Sequence, residues 1–197
     1  MRRTTFVLSS LLVILPLLAT AADPAAEDGP GDVYFAENAS GQVWANISLT
    51  RQRVGEPYLP IVVGILNTSD QPVKITRDRL WLTDPDDVIY PMPTVKQLRK
   101  GYDRQALDRR ALSTIGIPWR VWASSGSLEP SNFFPDLRAR RGNNVVRDNI
   151  TLRRSHGMVD LLYFETPRTL AAGTPFILEV HPEGWEEPIR MLIRLPK

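Results

Sequence analysis

In SHGMVDLLYFETP, Ser155 and His156 stand side by side and Asp160 follows four residues after the histidine. Serine, histidine and aspartate are the side chains of a hydrolytic triad, which needs a nucleophile, a base and an orienting carboxylate gathered beside an oxyanion site. Adjacent residues project differently, so Ser155 and His156 are poorly placed to share a proton, although Asp160 could reach His156 locally. The flanking segments VVRDNITLRR and MVDLLYFE both read as strands. Ser155-His156-Gly157 is therefore expected to be a hairpin turn, with Gly157 supplying the φ > 0 that such a turn needs. No catalytic residues are assigned, and the chain is expected not to be an enzyme.

Other chemistries find equally thin support. The second histidine, His181, follows a strand pattern on its solvent side, and there is no cysteine and no His-x-x-x-His pair, so no metal site is expected. Asp84, Asp86 and Asp87 hint at calcium, but an EF-hand loop would need a ligand at Val88 and glycine at Ile89. With Pro85 at its second position, this segment reads as a turn. No cofactor is expected.

Two features suit binding. Arg99, Arg104 and Arg109 belong to a basic run from Lys96 to Arg110 that could grip an anionic component or form the solvated face of a helix. Trp119 and Trp122, with Phe133 and Phe134 nearby in sequence, could stack on sugar rings, anchor a protein interface or cap a core. For these two tryptophans the cap is the preferred reading, because an irregular segment needs buried aromatic area to stay ordered.

The elements that would position such groups follow from the rest of the chain. MRRTTFVLSSLLVILPLLATAA has two arginines, an apolar run and small residues at Ala19 and Ala21, the pattern of a signal peptide spanning residues 1–21. The run is shorter than a bilayer span, so no integral span is expected after its removal, and the mature chain is placed in the periplasm or outside the cell. Losing Arg2 and Arg3 brings the 24 basic residues to 22, against 22 acidic ones, so net charge gives no argument for nucleic acid. Twenty arginines to four lysines suit a GC-rich bacterial source. Four N-x-S/T sequons, at Asn38, Asn46, Asn67 and Asn149, would suit a glycosylated eukaryotic secretory protein, but their excess over chance is mild and the bacterial reading is kept. Without disulfides, stability must come from one sizeable core.

Residues 22–31, acidic and rich in Pro and Gly, read as a flexible segment. Beyond it, QVWANISLT alternates with Val43, Ala45, Ile47 and Leu49 on one side and Trp44 on the other. YLPIVVGIL is apolar on both faces, as a central strand would be. RLWLTDPDDVIYP reads as strand, turn, strand, and Phe176, Leu178, Val180, Ile189, Met191, Ile193 and Leu195 mark two further alternating strands. In TVKQLRKGYDRQALDRRAL, Val95, Leu98, Tyr102 and Ala106 approach helical spacing, and the stretch to Gly142 is irregular. The expected fold is an all-β, immunoglobulin-like antiparallel β-sandwich over residues 32–197, with one helical and irregular insertion at about 91–142.

The leader, the hairpin ILNTSDQPVKI and the terminal FILEV…PIRMLIRL pair together resemble bacterial exported immunoglobulin-like domains. The resemblance is architectural: it implies a fold and carries no functional residues. The expectation it frames is a non-catalytic binding or structural module of the bacterial envelope, contacting a protein or another envelope component. The alternative is a carbohydrate-binding module that uses Trp119 and Trp122.

Overall fold

The structure, a computed structural model, describes residues 27–28, 32–115, 125–135, 145–166 and 173–194. The leader, Trp119, Trp122, Arg138–Arg141 and Leu195 lie outside the described residues. In chain order the elements are β1 (Glu27–Asp28), β2 (Val33–Glu37), β3 (Gly41–Asn46), α1 (Ser48–Arg51), β4 (Tyr58–Asn67), β5 (Val73–Thr76), β6 (Leu80–Thr83) and β7 (Ile89–Pro91). There follow α2 (Val95–Gly101), α3 (Gln105–Leu112), β8 (Ser127–Glu129), β9 (Asn149–Leu152), β10 (His156–Glu165), β11 (Pro175–Val180) and β12 (Ile189–Arg194).

The fold is predominantly β, with three sheets among the described residues: β1-β2-β3-β4-β10-β8, β12-β11-β6-β7 and β5-β9. A two-sheet, wholly antiparallel sandwich was the expectation. The difference lies in the small β5-β9 sheet and in β8, which runs parallel to β10. β8 comes from the insertion, whose long path lets it enter the sheet in that direction, as a tight hairpin could not.

β4 is central, as its two-sided apolar pattern requires. It pairs with β3 on one side and β10 on the other, and every residue from Leu59 to Asn67 is buried. QVWANISLT departs from its expected course. β3 stops at Asn46, whose side-chain oxygen accepts from the Ser48 amide at 2.9 Å and turns the chain into α1. Leu49 is therefore buried from a helix. Trp44, expected on the solvent side, is buried because its cross-strand partner is Gly64. A Cβ on Gly64 would lie 1.8 Å from the indole nitrogen, so only glycine leaves room for the ring.

The strands predicted near the C-terminus form as read. Phe176, Leu178 and Val180 on β11 and Ile189, Met191 and Ile193 on β12 all point into the core, as do Leu80 and Leu82 on β6. Tyr34 ties the large sheet to this one, its hydroxyl donating to the Arg194 carbonyl at 3.0 Å. The helical insertion is split in two. A capping box of Thr94 and Gln97 starts α2, which ends at Gly101 before α3 begins. Phe133 and Phe134, from the irregular stretch, are both fully buried.

The serine-histidine turn is not a hairpin. β9 pairs with β5 in the small sheet and β10 enters the large sheet beside β4, so residues 153–155 cross between sheets. The positive φ belongs to Ser155 (59°), while Gly157 has an ordinary φ and already sits in β10. Ser155 is held there because its amide donates to the Asn67 carbonyl at 2.8 Å and its carbonyl accepts from Gly126 at 2.6 Å. Asn67 is itself fully buried, its side-chain amide donating to the carbonyls of Gln71 and Leu152. That sequon is spent inside the fold.

Glycine is needed at position 157 for space. A Cβ there would stand 2.7 Å from Leu128 Cδ2 and 2.9 Å from the Ile65 carbonyl oxygen. Gly157→Val should destabilise the protein by about 1–3 kcal/mol through overpacking. Ser155→Gly should relieve a left-handed residue and leave stability equal or raised by up to about 1 kcal/mol. Urea unfolding midpoints check both, and a neutral Gly157→Val would contradict this packing.

Candidate functional site

Asp160 does not serve His156. Four residues along an extended strand span about 13 Å, too far for the two side chains to share a hydrogen bond. The carboxylate instead lies in the core, its side chain 2% exposed. Oδ2 accepts from Ser131 Oγ at 2.6 Å and from the Asn132 amide at 3.1 Å. Oδ1 accepts from Arg109 Nη1 at 2.8 Å and from the Leu161 amide at 2.8 Å. Ser131 also accepts from the Phe133 amide, so this serine shapes the turn that delivers Phe133 and Phe134 to the core.

The neighbouring residues Asp108 and Arg109 on α3 make ion pairs with different partners. Asp108, fully buried, accepts from Arg53 at 2.8 Å and from the Tyr102 hydroxyl at 2.6 Å. Arg109 joins Asp160 and also donates to the Phe134 carbonyl. Tyr163 lies between the two pairs, edge-on to Tyr102 at 5.6 Å and to Phe134 at 5.4 Å. Burial, reinforced by the charge of Asp108, pushes the Tyr163 phenol up, and burial with the Asp108 hydrogen bond does the same to Tyr102. These phenols are neutral packing groups at ordinary pH. The cluster fastens α3 and the irregular stretch onto β10.

The three arginines singled out by the sequence thus have different surroundings. Arg109 is turned inward, Arg104 pairs with Glu56 at 2.6 Å, and Arg99 stands exposed on α2 with no ion pair among the described residues. His181 is half-buried just beyond β11. The aspartate triplet is a turn: Asp84 Oδ1 accepts from the amides of Asp86 and Val88, and Oδ2 accepts from the Tyr90 hydroxyl at 2.7 Å. That bond holds the Asp84 carboxyl below its usual range and, together with burial, pushes Tyr90 up to about 12. Among the described residues no group of three or more His, Cys, Asp or Glu side chains could hold a metal ion. Trp119 and Trp122 cannot be placed, since they lie outside the described residues.

One surface feature escaped the sequence reading. Beside β6 and β7 lies a cleft of about 520 Å³, walled by Trp81, Ile89, Pro91, Met92 and Pro93, with Arg77 and Asp78 also lining it. Trp81 faces outward between two inward leucines, in register with Pro91. The signal was present in RLWLT, where alternation that buries Leu80 and Leu82 must turn the tryptophan the other way. No known protein family, no curated protein and no solved structure matches this chain.

Removing one member of a buried ion pair leaves the other charge uncompensated, so Arg109→Ala or Asp160→Ala should cost about 3–5 kcal/mol. The double variant Arg109→Met, Asp160→Leu should recover part of that loss, measured by denaturant unfolding. Tyr90 has a folded pKa raised from 10.0 to about 12. Its contribution is full below pH 10 and is lost as pH rises towards 12. Stability should accordingly fall across that window, and Tyr90→Phe should shallow the fall.

Proposed function

We propose that this chain is an exported, non-catalytic binding or structural module of the bacterial envelope, built on an immunoglobulin-like scaffold, that contacts a protein or another envelope component. The observation that carries this reading is the contrast between the polar core and the open cleft. The groups best suited to chemistry are engaged inside the fold, Asp160 with Arg109 and Ser131, and Asp108 with Arg53 and Tyr102. The Trp81 cleft, by contrast, offers apolar surface to a partner. The scaffold reading is supported by two larger sheets whose apolar faces share one core, with β2 and β3 lying against β12. Among the described residues no helix is long and apolar enough to cross a membrane.

Two measurements test this. Intact mass of the protein recovered from the cell envelope or medium should show an N-terminus at Ala22, and retention of Met1 would overturn export through a cleaved leader. Chemical cross-linking in intact cells, resolved by mass spectrometry, should join the mature chain to one reproducible envelope partner. Turnover of a substrate by the purified chain, abolished by a single substitution that leaves the unfolding midpoint unchanged, would refute the non-catalytic role.

A further inference from the structure

The β6–β7 hairpin ends the four-stranded sheet, and the direction of its backbone groups can be worked out residue by residue. The Asp84 amide donates to the Val88 carbonyl at 3.2 Å, so these two residues turn their groups toward each other. Groups alternate along a strand. Tyr90, opposite Leu82, therefore faces β6, while the N–H and C=O of Ile89 and the C=O of Pro91 face away from it. No described residue bonds to these three groups. Among the described residues no strand pairs with this edge, and Ile89 is 59% exposed and Pro91 is exposed.

The cleft adjoins this edge. Trp81, Thr83, Ile89 and Pro91 share the outer face of the sheet, because Trp81 is opposite Pro91 and Thr83 opposite Ile89. A chain added alongside Ile89 would place alternate side chains on that same face, over the apolar cleft. The Trp81 indole N–H has no acceptor among the described residues. Of the other polar groups lining the cleft, Arg77 is bonded to Asp148 and the Thr94 hydroxyl is used in the capping box, while the Asp78 carboxylate has no partner among the described residues.

Charge differs between the two ends of the edge. Asp86 and Asp87 are exposed beside Val88, and Lys96, Arg99 and Lys100 are exposed on α2, which follows Pro91 closely. We propose that β7 is a strand-addition site for an extended segment of a partner protein, which pairs antiparallel with Ile89, sets two alternate apolar side chains over the Trp81 cleft, and carries acidic residues at its N-terminal end and basic residues at its C-terminal end. In the antiparallel sense the N–H and C=O of Ile89 both bond to one residue of the segment, and this sense puts the segment's N-terminal end near α2. This inference rests on the binding-module reading and names the site and partner class for it.

The test uses the mature full chain and a synthetic nine-residue peptide: two aspartates, threonine, leucine, threonine, leucine, threonine and two lysines. Fluorescence anisotropy should show binding, with a version carrying the lysines first and the aspartates last at least about tenfold weaker. Methylating the backbone nitrogen of the second leucine, opposite Ile89, should weaken binding by about five- to tenfold, the worth of one hydrogen bond. That change leaves the protein untouched. Ile89→Pro should have a similar effect with an unchanged unfolding midpoint, because the Ile89 amide is unused in the sheet, and Trp81→Ala should weaken binding further. No binding of the charge-ordered peptide, or indifference to the methylated nitrogen, overturns strand addition at β7. Photoreactive residues placed at Ile89 and at Arg110 separate the two levels in cells. Cross-links from Arg110 alone would overturn the edge site and leave the module standing, whereas none from either position would remove both.

Discussion

A carboxylate in the middle of a buried strand has to be neutralised by its surroundings, and in this protein that requirement fixes where α3 and the turn before Phe133 sit. Asp160 sits on β10 between β4 and the insertion, and every oxygen it presents is matched by a donor. An isolated ionised carboxylate could not be accommodated there without many kcal/mol of lost hydration. Arg109, Ser131 and Asn132 are therefore obliged to be where they are. Placing them fixes α3 at one point and the turn before Phe133 at another.

The consequences run outward from that ion pair. With α3 anchored, Asp108 on the adjacent position faces Arg53 and Tyr102, so the segment after α1 is fastened to the same cluster. Phe133 and Phe134 drop into the core beside Tyr163 and complete it on the side where β8 pairs with β10 only at its first three residues. A polar cluster of this kind gives less net stability than an apolar one of equal volume, because desolvation offsets much of the attraction. It does discriminate strongly against other placements of the insertion, since any shift would strand a buried charge. The open face of the molecule is then the opposite product: β6 buries Leu80, Leu82 and Thr83, while Trp81 is only half-buried and Ile89 and Pro91 on β7 are exposed beside the cleft.

Much of the fold was legible from local pattern. The two-sided apolar run of β4, the β6–β7 turn at Asp84-Pro85-Asp86 and the alternation of β11 and β12 all formed as read, because each depends on neighbours in sequence. The failures share one cause. Trp44 is buried because of Gly64, and Ser155 is left-handed because Asn67 and Gly126 hold it, so both outcomes belong to the pairing of strands distant in sequence. The site was less legible still. Arg109 looked like one more member of a basic run, and only its orientation separates it from Arg99. Trp81 carried a readable signal, yet nothing in RLWLT says that Pro91, Met92 and Pro93 will wall a cleft beside it.

The sequence by itself determined β4, β6, β7, β11 and β12 as strands and the helical character of the α2–α3 region, because period and turn chemistry are properties of a few adjacent residues, but it read α1 as the end of a strand. It also determined that the core holds without disulfides, there being no cysteine. Tertiary structure alone decided that β9 and β10 part company into different sheets, that the insertion supplies a parallel strand, and that Asp160 meets Arg109 and Ser131. Those partners lie 51 and 29 residues away in the chain. No local preference encodes them; a buried charge finds its counter-charge only once the surrounding sheet has excluded water.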